Sequence, residues 1–211
     1  MKQALIIFFF ILLIPQSIFS QWMEKSGSPF IKNYTPQIYD AHPQNWDIAQ
    51  DNRGLMYFGN VSGVLEFDGE NWSLTELPDK KSTRDLFIDE KGKIYIGSSG
   101  EIGYMGTDKF GRLKYHSLNH LIDKKYKPFY DVYDVFKNND TIYFRTQQKV
   151  LTYQNDTVLV TEIEKNSERT EITESFSYNQ KPYFYIEGTG IVQLINGQFK
   201  KIIDKSIFGN N

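Results

Sequence analysis

Short apolar runs alternate with polar turns along most of this chain, and the pattern repeats about every 40 residues. One copy reads Trp46-Asp-Ile-Ala-Gln-Asp-Asn-Arg-Gly-Leu-Met-Tyr-Phe-Gly59, and the next Arg84-Asp-Leu-Phe-Ile-Asp-Glu-Lys-Gly-Lys-Ile-Tyr-Ile-Gly97. Between them Asp47 and Asp85, Asp51 and Asp89, Gly54 and Gly92, Tyr57 and Tyr95, and Gly59 and Gly97 coincide without a gap. The repeat continues through Ile142-Tyr-Phe144 and Tyr183-Phe-Tyr185. A second anchor follows in each copy: Gly63–Phe67, Gly100–Tyr104, Lys149–Tyr153 and Gly190–Leu194.

Each copy reads as four strands. In the first, Asp47–Gln50 leads into the turn Asp51-Asn-Arg-Gly54, where Gly supplies positive φ and Asp caps the turn backbone. Leu55–Gly59, Gly63–Phe67 and Trp72–Leu77 follow, with Asp68-Gly69 as a hairpin turn. Four short strands per unit of about 40 residues is the pattern of a propeller blade, which must stack on its neighbours to bury both faces. The expected fold is therefore all-β: a β-propeller with about four blades of four antiparallel strands, at approximately 45–79, 83–123, 132–166 and 173–204. These read as part of a larger, seven-bladed ring. Residues 205–211 read as the start of a further blade, through Ile207-Phe208, and residues 21–44 as an extended lead-in able to close the ring. Helical periodicity is confined to Leu118–Lys127 in the long third-copy loop. A last blade face left uncovered predicts a poorly soluble or dimeric fragment.

The N-terminus has a different pattern. Lys2 precedes an unbroken apolar stretch, Ala4–Ile14, then Pro15 and the small residue Ser20. This is the layout of a secretory signal peptide over residues 1–20, too short to span a bilayer, which takes about 20 apolar residues. The expected location is exported, periplasmic or at the cell surface. The chain has no cysteine, so its stability must come from the core rather than from disulfides. A net charge of −2 shows no nucleic-acid footprint.

The chain contains no nucleophile elbow, phosphate loop, zinc-protease helix or EF-hand spacing. No cofactor and no metal are expected: His116 and His120 stand four apart without a third ligand nearby. Asp47, Asp85, Asp134 and Glu174 occupy one position at the start of each copy's first strand. Equivalent positions imply equivalent structural work, so these carboxylates are read as acceptors for backbone N–H groups tying the inner strands together. Candidate ligand contacts lie at the ends of the second strands, Asn60, Ser98 and Thr146, with Trp46, Arg84 and Tyr133 beside them to stack and carry charge. No catalytic residue is assigned.

The stretches Phe30–Pro36, Pro43–Asp51, Gly54–Asn60 and Gly63–Gly69 resemble the two-component-regulator propeller family of Bacteroidetes. Its blade signature is an Asp-x-x-Gly turn, an aromatic-Ile-Gly strand, then Gly-Leu and an aromatic strand. Copies three and four depart from it, with Arg145 and Tyr185 in place of the strand-end Gly. The resemblance implies a periplasmic sensor propeller. In such proteins a triple-tyrosine immunoglobulin-like domain, a membrane helix and a kinase, phosphatase or DNA-binding output follow, and glycan fragments are frequent ligands. The function expected is non-catalytic ligand sensing, with a glycan or other small extracellular molecule, the signalling domains of the same chain and a second copy as partners. The alternatives are a secreted carbohydrate-binding or carbohydrate-active propeller, and a cell-surface interaction module.

Overall fold

The computed structural model describes residues 31–110, 112–164 and 170–208. The chain divides into two units, residues 1–34 and 35–211. Of the first, residues 31–34 are described and carry no regular secondary structure, and the signal-peptide segment 1–20 lies outside the described residues. No described helix is long and apolar enough to cross a membrane.

The second unit opens with one helical turn, α1 (Pro36–Tyr39), and continues as four antiparallel sheets of four strands. The first holds β1 (Asn45–Gln50), β2 (Met56–Asn60), β3 (Gly63–Phe67) and β4 (Trp72–Thr75). The second holds β5 (Thr83–Ile88), β6 (Ile94–Ser98), β7 (Glu101–Thr107) and β8 (Leu113–Ser117). The third holds β9 (Asp134–Asn138), β10 (Thr141–Arg145), β11 (Lys149–Gln154) and β12 (Thr157–Glu162). The fourth holds β13 (Ile172–Tyr178), β14 (Lys181–Ile186), β15 (Gly190–Ile195) and β16 (Gln198–Asp204). In every sheet, strand order follows chain order, and no ladder runs from one sheet into the next. Each sheet is thus one blade, contiguous in sequence.

The turns close as their residues dictate. Asp51 Oδ1 accepts the Arg53 and Leu55 amides at 2.8 and 3.1 Å while Gly54 takes φ +90°. Asp89 does the same for Lys91 and Lys93 in the second blade. The fourth blade turns instead through Asn179 and Gln180, both at positive φ, the geometry of a two-residue hairpin. The sequence expects one short helix or turn over Leu118–Lys127. Two 3-10 turns, Asn119–Leu121 and Lys124–Tyr126, stand there. Likewise Lys205–Phe208 form a 3-10 turn rather than a strand, and residues 31–34 are not paired in a sheet.

Blades bury their apolar faces against each other. Tyr57, Val64 and Leu77 of the first blade pack on Leu86, Ile94, Ile96 and Met105 of the second. Tyr95 and Ile102 meet Val135, Phe144 and Leu151 of the third, and Val150 meets Ile172, Phe184 and Val192 of the fourth. The innermost strands β1, β5, β9 and β13 succeed one another, each packed on the next. Close approach there excludes a side chain at Gly97, where a Cβ would stand 2.5 Å from Val132 Cγ1.

Candidate functional site

The loops that enter the inner strands and those joining β2–β3, β6–β7 and β10–β11 lie at the same end of their blades. All six candidate contacts are at this end. Their side chains divide into two groups.

Asn60, Ser98 and Thr146 are buried and serve the backbone. Asn60 Nδ2 donates to the carbonyls of His42 and Gln44 at 2.7 and 3.1 Å, and to Asn45 Oδ1 at 2.7 Å. Its Oδ1 accepts the Ser62 amide. Ser98 Oγ donates to the Ser82 carbonyl at 2.6 Å, and Thr146 Oγ1 accepts the Gln148 and Lys149 amides. These groups satisfy loop backbone that has left the ladder.

Trp46 and Tyr133 are exposed, and Arg84 lies beside them with its side chain 24% exposed. A register shift between Asn45 and Asp47, repeated between Thr83 and Asp85 and between Ile172 and Glu174, inserts Trp46, Arg84 and Thr173 as extra residues. Such a bulge re-aims the side chain it carries. Trp46 is 45% exposed and Tyr133 43%. The Arg84 guanidinium lies over the Trp46 ring at 4.2 Å, and its Nη2 is 2.7 Å from Asp131 Oδ2. The other oxygen of Asp131 accepts the Ser99 hydroxyl. The Arg145 guanidinium stands 5.9 Å from the Tyr133 ring, and these two residues line a hollow with Gln147, Glu171, Ile172 and Thr173. Asp131, Ser99 and Arg145 escape sequence reasoning, although Arg145 stands where the repeat has Gly59 and Gly97.

Beneath this face the repeat carboxylates run from blade to blade. Asp47 Oδ2 accepts the Leu86 amide at 3.1 Å, Asp85 Oδ2 accepts the Val135 amide, and Asp134 accepts the Ser175 hydroxyl. Glu174 is exposed at the same position of the last blade. Burial, with the charges of Asp47 and Asp134, pushes the Asp85 carboxyl up to about 8, against the pull of the Val135 amide. Burial also raises Asp134, opposed by Ser175 and by Arg145. Arg145 Nε donates to Ser175 Oγ at 3.0 Å and its Nη1 to the Ile172 carbonyl at 3.1 Å. It thus sets a cation beside the third carboxylate. His116 stacks on Tyr104 at 5.1 Å on the outer strands of the second blade, and no group of three metal-ligating side chains forms among the described residues.

No family model matches the chain, and no curated protein matches it. Solved structures do. A streptogramin B lyase aligns with a TM-score of 0.56 at 13% identity, over 74% of this chain and 53% of its own. The extracellular domain of a putative hybrid two-component system from B. thetaiotaomicron aligns with a TM-score of 0.53 at 16% identity, over 77% of this chain and 22% of its own. The chain is a β-propeller. Virginiamycin B lyase from Staphylococcus aureus shares the fold at 13% identity and a TM-score of 0.55, over 75% of this chain and 55% of its own. This propeller therefore spans about half the length of the lyases and about a fifth of the two-component domain. As a scaffold, the fold presents loops and bulge residues at one end while its carboxylates bind blades together.

Proposed function

We propose that the chain is the ligand-sensing propeller of an extracytoplasmic signalling protein of the two-component-regulator propeller type, non-catalytic in this segment. Trp46, Arg84 and Tyr133 are its ligand contacts, with Asp131 fixing Arg84. The observation that carries this reading is the repeated bulge, which turns Trp46 and Arg84 out of the ladder at equivalent places on successive blades. An exposed indole under a guanidinium that is itself oriented by a carboxylate offers a stacking plane beside fixed donors and acceptors. That combination suits a glycan or another polar extracellular molecule. The inner carboxylates support the non-catalytic reading, because Asp47, Asp85 and Asp134 are each engaged by the following blade. Asn60, Ser98 and Thr146 would act by shaping the loops rather than by touching ligand.

Signalling domains elsewhere in the full protein would read the bound state, which requires that ligand favour one arrangement of those domains over another. Export through the segment 1–20 would place the propeller in the periplasm or at the cell surface. A thermal-shift screen against oligosaccharides tests the site. At least one should raise the melting temperature of the wild type, and Trp46→Ala should abolish that shift while melting normally without ligand. A response that survives Trp46→Ala, or no response to any oligosaccharide, contradicts this assignment.

A further inference from the structure

Outside the ring of Trp46, Arg84 and Tyr133, the same face carries a second hollow at the junction of the second and third blades. It is an open depression of about 520 Å³, lined by Lys81, Ser99, Gly100, Asn119, Lys127, Pro128 and Phe129. That volume is in the range of small-molecule sites, about 300–1,000 Å³. Its polar groups are held in place from behind. Lys81 Nζ reaches the Gly100 carbonyl and Glu101 Oε2, at 3.3 and 3.4 Å. Lys127 Nζ donates to the Asn119 carbonyl. Asn119 Nδ2 donates to the Gly100 carbonyl and to Glu101 Oε2, at 2.9 and 3.0 Å.

The bookkeeping of donors and acceptors gives the hollow its character. Glu101 is buried, and its oxygens already accept from Lys81, Tyr115, Ser117 and Asn119. It is thereby shielded from an incoming ligand. An ammonium has three donors. Lys127 uses one of them on the Asn119 carbonyl, and Lys81 uses two on Gly100 and Glu101. Two cations with spare N–H groups thus line a hollow whose acidic neighbours Glu101 and Asp131 are already engaged, Asp131 by Ser99 and Arg84, and Phe129 with Pro128 supplies an apolar wall.

We propose that this hollow binds a small organic anion, a carboxylate or sulfate ester, with the charge between Lys81 and Lys127 and the carbon body against Pro128 and Phe129. The site goes beyond the sensing site above and does not depend on it. It is nonetheless connected to it, because Ser99 on its rim donates to Asp131, the residue that holds Arg84.

Calorimetric titration of the full chain with inorganic sulfate, benzoate, glucuronate and, as the uncharged counterpart, glucose tests the proposal. At least one anion should bind saturably and glucose should not. Lys127→Met should weaken that anion about tenfold or more, as expected for losing a charged hydrogen bond, while Lys127→Arg should stay within about threefold. Lys127 is exposed, so neither variant disturbs the core. Trp46→Ala should leave the anion affinity unchanged, which separates failure of this site from failure of the sensing site. Absence of binding by all three anions, equal binding of glucuronate and glucose, or an anion affinity indifferent to Lys127→Met would overturn it.

Discussion

At the scale of single residues, the carboxylates of the inner strands do most to explain how blades hold together. Asp47, Asp85 and Asp134 each take a donor from the next blade, and the cost of gathering them shows at Asp85, which stays protonated near neutral pH because it is buried between Asp47 and Asp134. The native state therefore keeps a proton that the unfolded chain, with an ordinary value of 3.8, has released. The stability this lends is fully present below about pH 3.8 and is lost as pH rises through about 8. Denaturant midpoints measured between about pH 5 and pH 9 should fall as pH rises, and Asp85→Asn should flatten the fall. Asp134, whose carboxyl is raised by burial too, acts in the same direction. An Asp85→Asn profile parallel to wild type would contradict this role. The position of these acids at each strand start is plain in the sequence. The placement of Trp46 and Arg84 on bulges is not, because a bulge is a property of how two strands pair and one strand's residues do not encode it alone.

At the scale of elements, turn chemistry sets the blades' registers. Asp51 is buried and bonded to two amides of its own turn, to the Arg53 guanidinium and to the Tyr57 hydroxyl. Asp51→Ala strands those amides and should cost about 1–3 kcal/mol in chemical denaturation, whereas Asp51→Asn keeps an acceptor and should cost less. Equal losses for the two variants would show that the turn bonds are not what matters. The Asp-x-x-Gly turns were readable because Gly and Asp carry distinct conformational signals. The third and fourth blades were harder, since Asn139, Asn179 and Gln180 reach positive φ without glycine. The segment from Leu118 to Lys127 resisted a single assignment because its apolar residues serve two separate 3-10 turns, burying Leu118 and Ile122 against the third blade.

Across the whole molecule, repetition gives the two ends of every blade different tasks. Both ends close hairpins, but the end holding Trp46, Arg84 and Tyr133 also receives the connections between blades and the exposed rings of Trp46 and Tyr133. The repeat makes this architecture legible in the sequence, since its strand pattern recurs in every copy although the Asp-x-x-Gly turn after the first strand is confined to the first two. The choice of contact residues was legible only in part. Small polar residues at strand ends look like ligand contacts in sequence, yet the loop backbone needs partners and Asn60, Ser98 and Thr146 meet that need.

The most direct measurement of the account is hydrogen–deuterium exchange of the propeller with and without an oligosaccharide found in the thermal-shift screen. Protection on binding should concentrate in residues 42–46, 81–84 and 130–133 and leave the opposite turns at 51–54, 89–92 and 138–140 unchanged. Protection confined to those opposite turns would place the ligand at the wrong end of the blades and contradict the account.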